Sequence, residues 1–154
     1  MITISELTHS SQEVLDDINN LLPQLSSKVR EISLESLTAL VDSESTKIFV
    51  AINESNKILG MLSLIVMKIP TGTKSWIEDV VVDEKTRGKG VGQSLMVHAQ
   101  EQARNLGAKS IDLTSRPARE QANRLYQSLG YVMRETNVYR YPISWLQYNL
   151  ISQI

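Results

Sequence analysis

The chain has 154 residues and no cysteine. That absence excludes disulfides, thiolate metal sites and a cysteine nucleophile. Histidine is nearly as scarce, with only His9 and His98, too few for a multi-histidine centre, and no metal is expected. Neither sign of charge dominates. Sixteen basic and seventeen acidic residues leave a net charge of -1, so no global field draws the chain to nucleic acid. No apolar run is long enough to span a membrane: the longest, beginning at Ile58, is ended by Lys68 and Pro70. The start Met1-Ile2-Thr3-Ile4 lacks a basic stretch and cleavage site, so a cytoplasmic location is expected. No linker, repeat or low-complexity tract divides residues 1–154, a length that suits one domain with its own core.

What is present alternates between two periodicities. Residues 2–4 read as an edge strand, and Leu15, Ile18, Leu21 and Leu22 recur at helical spacing up to Pro23. A second helix is expected to carry Ile32, Leu34, Leu37, Leu40 and Val41. Residues 47–52 and 58–67 read as strands joined by the turn-rich Asn53-Glu54-Ser55-Asn56. Thr71-Gly72-Thr73 then turns into a strand over 76–82. A helix follows over 91–106, stopped by Gly107, and a strand over 109–114. Pro117 is expected to open the next helix, with Ala122, Leu125, Tyr126 and Leu129 on one face and Gly130 at its end. Residues 131–133 and 137–141 read as a closing strand pair. After Pro142, Ile143, Leu146, Leu150, Ile151 and Ile154 approximate one helical face. This tail is expected to be ordered, as an element packed on its own domain or as the contact of a homodimer. The order predicts an α+β domain: a mixed sheet with helices on both faces.

The segment Arg87-Gly88-Lys89-Gly90-Val91-Gly92 joins the strand over 76–82 to the helix over 91–106. Such a junction offers unpaired N–H groups and the positive end of a helix dipole to an anion. Alternating glycines remove the Cβ atoms that would hold a diphosphate away. A P-loop needs a hydroxyl after its lysine, but Gly90 follows Lys89. A dinucleotide fingerprint needs a third glycine where Gln93 stands, and opens the first βαβ unit rather than the middle of a chain. A tight turn without a ligand is the remaining plain reading.

Two segments together carry a resemblance. The loop matches the Q/R-x-x-G-x-G/A signature of the GNAT N-acetyltransferase superfamily, and Ala122-Asn123-Arg124-Leu125-Tyr126-Gln127-Ser128-Leu129-Gly130-Tyr131 is similar to its A-x-x-L/F-Y-x-x-L/F-G-F/Y segment. The spacing between them fits one helix and one strand. The resemblance implies a single twisted, mixed and mostly antiparallel sheet of six or seven strands, splayed where coenzyme A binds. It implies acetyl-CoA as cosubstrate, held at its diphosphate by Arg87, Gly88, Lys89, Gly90, Val91, Gly92 and Gln93. Backbone of Val80, Val81 and Val82 would pair with pantetheine, and Asn123 would contact the same arm. Strand alternation sets Val80 and Val82 on one face and Val81 on the other, so only backbone is common to all three.

By the same resemblance Tyr126 lies near the thioester sulfur, where a phenol is a suitable general acid; its plain reading is a core tyrosine. An amine acceptor must lose a proton before it attacks. Glu78 and Asp79 point to opposite faces unless a bulge intervenes, and Glu78 is the expected base, directly or through water. The plain reading of both is a charged sheet edge. Arg116 and Arg119, before the second motif, suit a phosphate or an acidic acceptor, or simply a capping turn. His98 and Ser94 read as surface or boundary residues. The expected reaction moves an acetyl group to an unidentified primary amine in a ternary complex; a non-catalytic acyl-CoA-binding module is the alternative.

Overall fold

The computed structural model describes residues 1–143. Four strands of the first half, β1 (Thr3–Glu6), β2 (Thr46–Ile52), β3 (Ile58–Ile69) and β4 (Gly72–Val82), pair antiparallel in chain order. A short β5 (Ile111–Asp112) adds to β4 in parallel, giving the order β1-β2-β3-β4-β5. Strand alternation divides the core in two. On β2, Ile48 and Val50 face one cluster with α1 (Gln12–Leu21) and α2 (Leu34–Val41); Phe49 and Ala51 face a second with α3 (Val91–Asn105) and α4 (Glu120–Ser128). Helices on both faces of a mixed sheet are therefore observed. No helix among the described residues is long and apolar enough to cross a membrane.

Helix boundaries follow their caps. Ser11 accepts from Val14 N–H at 3.2 Å and starts α1. Ser33 accepts from Ser36 N–H at 3.1 Å, so α2 begins after Ile32 rather than at it. Pro23 continues α1 into a 3-10 turn over Leu22–Gln24, where a first-turn proline loses no hydrogen bond. Pro117 does not open α4. A turn closed by Arg119 N–H to Arg116 O at 3.0 Å intervenes, and the helix starts at Glu120.

Among the described residues the sheet holds five strands, fewer than the six or seven expected. Only two residues of the expected strand at 109–114 pair, and residues 131–143 form no strand at all. Alternation of residue types specifies which face a strand would bury, but a strand also needs a ladder partner, and an isolated hairpin is marginal in water. The expectation for the tail lies, beyond Ile143, outside the described residues.

One irregularity sits where β4 approaches the loop after it. Ser63 pairs with Glu78 and Met61 with Val81, so β4 spends one residue more than β3 over this interval. This is a β-bulge, and Asp79 takes the positive φ of 54° that accommodates it. Beneath it β3 carries Gly60, paired with Val82. A Cβ at Gly60 would lie 3.0 Å from Val81 O and 3.3 Å from both Leu95 Cδ1 and Val91 Cγ1. Strand β4 and the start of α3 thus meet over a hydrogen atom. Gly60→Ala must shift one of them and is expected to cost about 1–3 kcal/mol, the usual range for overpacking. Urea unfolding at constant m-value measures this, and an unchanged midpoint would contradict the close approach.

Candidate active site

The site forms where β4 and β5 part. Ser75 is fully buried and donates twice to one acceptor, from N–H at 3.0 Å and from Oγ at 2.8 Å, both to Ser110 O. Ladder pairing with β5 covers Ser75 and Trp76 only. From Ile77 to Val82 the outer edge of β4 has no strand partner among the described residues. Its backbone groups are left to face whatever occupies the gap.

Beyond Val82 the chain is held before it reaches α3. Asp83 N–H donates to Leu59 O at 2.8 Å, and the Asp83 carboxylate accepts from Lys85 N–H at 2.9 Å, capping a 3-10 turn over Glu84–Thr86. Gly88 and Gly90 follow at φ 80° and 77°. A Cβ at either would meet nothing within 4 Å, so the demand for glycine is torsional and the outer side of the loop is open. Helix α3 has no side-chain cap. From Gly88 to Gln93 no N–H donates to another described residue; the first that does is Ser94, to Gly90 O at 3.0 Å. Six backbone donors without a described partner thus stand at the positive end of a helix dipole, and five of their residues line a cavity.

That space is a cavity of about 960 Å³. Val80, Val81, Val82, Arg87, Gly88, Gly90, Val91, Gly92, Gln93 and Tyr126 all line it. Val81 packs into the α1/α2 cluster, whereas Val80 and Val82 pack on the α3/α4 side, as alternation requires. Arg87 bends back so that Nε donates to Val82 O at 3.3 Å, tying loop to strand. Lys89, Asn123 and Glu78 do not line the cavity. Asn123 Nδ2 donates instead to Arg116 O at 2.9 Å, bracing the turn before α4.

Tyr126 is 7% exposed and meets Tyr131 edge-on with ring centroids 6.1 Å apart. Burial raises its pKa above the ordinary phenol value, and the opposing field of Arg119 only moderates this. Its proton is therefore retained at neutral pH. Of the two carboxylates, exposed Glu78 accepts from Trp76 Nε1 at 2.7 Å. Asp79 is also exposed as a residue, yet desolvation of its carboxyl, with the Glu78 charge second, raises its pKa. His98 packs edge-on against Phe49 and belongs to the core boundary.

Some cavity residues were not anticipated. Gln121, Arg124 and Ser128 line it beside Tyr126, and their spacing along α4 is the signal that finds them. Gln24 and Leu25, from the 3-10 turn after α1, also line it. They carry no local signal, because tertiary contact brings them there; Gln24 Oε1 accepts from Glu84 N–H at 2.9 Å across the gap.

Comparison with known proteins bears on the family and the fold. The profile described as "Acetyltransferase (GNAT) family" matches residues 14–131. An uncharacterised N-acetyltransferase of Bacillus subtilis, YhdJ, is 31% identical over 115 residues, covering 73% of this chain and 80% of the relative. An aminoalkylphosphonate N-acetyltransferase of Salmonella typhimurium is 32% identical over 80 residues, covering 50% of this chain and 51% of the relative. Among solved structures, an aminoglycoside acetyltransferase from an uncultured soil metagenomic sample superposes with a TM-score of 0.81 at 20% identity, over 93% of this chain and 96% of the other. At that identity the likeness establishes the fold. Together the matched profile and the Bacillus relative place this chain in the acetyltransferase (GNAT) family, which uses acetyl-CoA as cosubstrate.

Proposed function

We propose that this protein transfers an acetyl group from acetyl-CoA to a primary amine by direct attack in a ternary complex. The observation that carries the reading is one cavity lined by five residues whose amides are unbonded (Gly88, Gly90, Val91, Gly92 and Gln93), an unpaired strand edge and a buried, protonated tyrosine. When bound, acetyl-CoA supplies an acetyl group activated as a thioester. The N–H groups of residues 88–93, with the charges of Arg87 and Lys89, hold the diphosphate. Val80, Val81 and Val82 offer backbone donors and acceptors to the pantetheine amides, and an N–H near Val81 steadies charge on the carbonyl oxygen. Asn123, with Nδ2 committed to Arg116 O, braces the turn that leads into α4 and is assigned to the same arm.

Tyr126 donates its proton to the departing sulfur. Glu78 takes the proton of the incoming amine, directly or through water. It stands on the strand that borders the site, and Trp76 fixes its carboxylate. Zero cysteines are consistent with a route that needs no acyl-cysteine intermediate. The acceptor approaches from the side of α1 and α2. Small amines such as the aminoalkylphosphonates named for the Salmonella relative are the first to try.

Calorimetric titration tests the donor half. Acetyl-CoA and CoA are expected to bind in the micromolar range and NAD not at all; no CoA binding at millimolar concentration would sink the proposal. Thiol release over an amine panel then separates an enzyme from a binding module.

Tyr126→Phe is expected to lower kcat by about 10²-fold or more, the usual worth of a general acid, with acetyl-CoA affinity nearly unchanged. Unaltered turnover would remove Tyr126 from the chemistry.

The acid limb of the kcat/KM profile identifies the base, because a base works only above its pKa. In Glu78→Gln that limb is expected to vanish together with most of the rate. If Asp79 were the base, the limb would survive and move to lower pH, since loss of the Glu78 charge removes one cause that raises the Asp79 pKa.

A further inference from the structure

Strand alternation sorts the residues of β3 and β4 between the two faces of the sheet. Met61 and Val81 pack toward α1 and α2, while Leu62, Leu64 and Ile77 pack toward α3 and α4. Ile65 and Met67 on β3, with Lys74, Trp76 and Glu78 on β4, therefore lie on the α1/α2 face. The register sets Ile65 beside Trp76 and Met67 beside Lys74. Trp76 Nε1 donates to Glu78 Oε1 at 2.7 Å, which holds indole and carboxylate on the same side. Ile65, Met67 and Trp76 are partly buried and belong to neither core cluster. They form an apolar floor that the core does not use.

The bulge joins this floor to the cavity. Because Asp79 is the extra residue, Val81 follows Glu78 as the next side chain on the α1/α2 face. Val81 lines the cavity. The order along β4 is thus cavity, Glu78, Trp76, Lys74. At about 3.3 Å per residue, Trp76 stands roughly 7 Å and Lys74 roughly 13 Å beyond Glu78. Few other charges border this path. Asp112, laddered to Trp76, is engaged by Arg134 at 3.7 Å. Lys74 forms no ion pair among the described residues. A carboxylate therefore stands at the near end, an apolar floor in the middle and a cation at the far end.

We propose that Trp76 determines which amine is acetylated, and that the acceptor is a primary amine carried on an apolar chain without a second cation. The inference rests on the acetyl-transfer reading of the cavity and names the acceptor class for it. An ammonium group is attracted to Glu78 before it loses its proton. Its chain then lies along Trp76, Ile65 and Met67, where each methylene removed from water adds affinity. A second ammonium at the far end of such a chain meets Lys74, and that repulsion rejects it. A two-carbon amine is too short to reach the indole.

Thiol release at saturating acetyl-CoA is measured for ethylamine, hexylamine and hexamethylenediamine. The kcat/KM for hexylamine is expected to exceed that for each of the other two by at least about tenfold. In Trp76→Ala the ratio of hexylamine to ethylamine is expected to fall toward one, even where both rates drop because Glu78 loses its donor. Trp76→Phe, which also loses that donor but keeps a ring on the floor, is expected to retain most of the ratio. Lys74→Gln is expected to raise hexamethylenediamine relative to hexylamine at least about threefold. Equal kcat/KM for ethylamine and hexylamine in the wild type would overturn the proposal, as would a ratio unchanged in Trp76→Ala. Either result leaves acetyl transfer standing. Calorimetry of hexylamine against the CoA-bound protein covers the opposite case. Binding that Trp76→Ala weakens, with no thiol release from any amine, would sink the transfer reading and support the apolar floor as an amine site. Neither binding nor release of thiol with hexylamine would overturn the proposal. Should Trp76→Ala misfold, the wild-type ratios and Lys74→Gln still decide.

Discussion

The site depends on a single buried junction. Ser75 holds β4 against β5 by giving both its N–H and its hydroxyl to Ser110 O, and beside it only Trp76 joins the ladder. A side-chain hydroxyl buried in a sheet must find a partner, and here the partner is the carbonyl that starts the parallel strand. Past that point the strands separate. The unpaired edge of β4, the cavity beyond it and the exposure of the amides after Val82 all follow from two strands that begin together and do not continue together.

The bulge and the loop finish what the separation begins. One extra residue at Asp79 resets the register, so that Val81 enters the α1/α2 cluster while Val80 and Val82 pack toward α3 and α4. The strand thereby remains anchored on both faces while its outer edge stays available. Gly60 lets α3 approach β4 closely. Gly88 and Gly90 turn the chain at positive φ, and its N–H groups have no described acceptor. Tyr126 reaches the same space from α4 because its ring is fixed by the core and by Tyr131. Rigid elements thus place the strand edge, the loop and the Tyr126 ring around one cavity.

Much of this was legible in the residues. Binary patterns located β2, β3, β4, α1 and α3, and two short motifs at the right separation identified the donor half of the reaction. Local signals failed where a decision was not local. Pro117 looked like a helix start, but the turn closed by Arg116 and braced by Asn123 came first. Residues 131–141 alternate like strands yet lie unpaired, because alternation says nothing about whether a sheet edge is within reach. Asn123 and Tyr126 share a helix face in sequence terms, but only Tyr126 lines the cavity.

By itself, then, the sequence determined the class of fold, the face each strand buries and, through two short motifs, the family to which the chain belongs. These follow from period, torsional freedom and side-chain chemistry, which are properties of neighbours along the chain. The tertiary structure alone decided where β4 and β5 part, where the extra residue of β4 falls, that Gln24 and Leu25 join the cavity wall, and that the arm after Gly130 lies outside the sheet. Each of these is a contact between segments far apart in sequence. Their outcome rests on which hydrogen-bonding edges meet, and no local pattern encodes that.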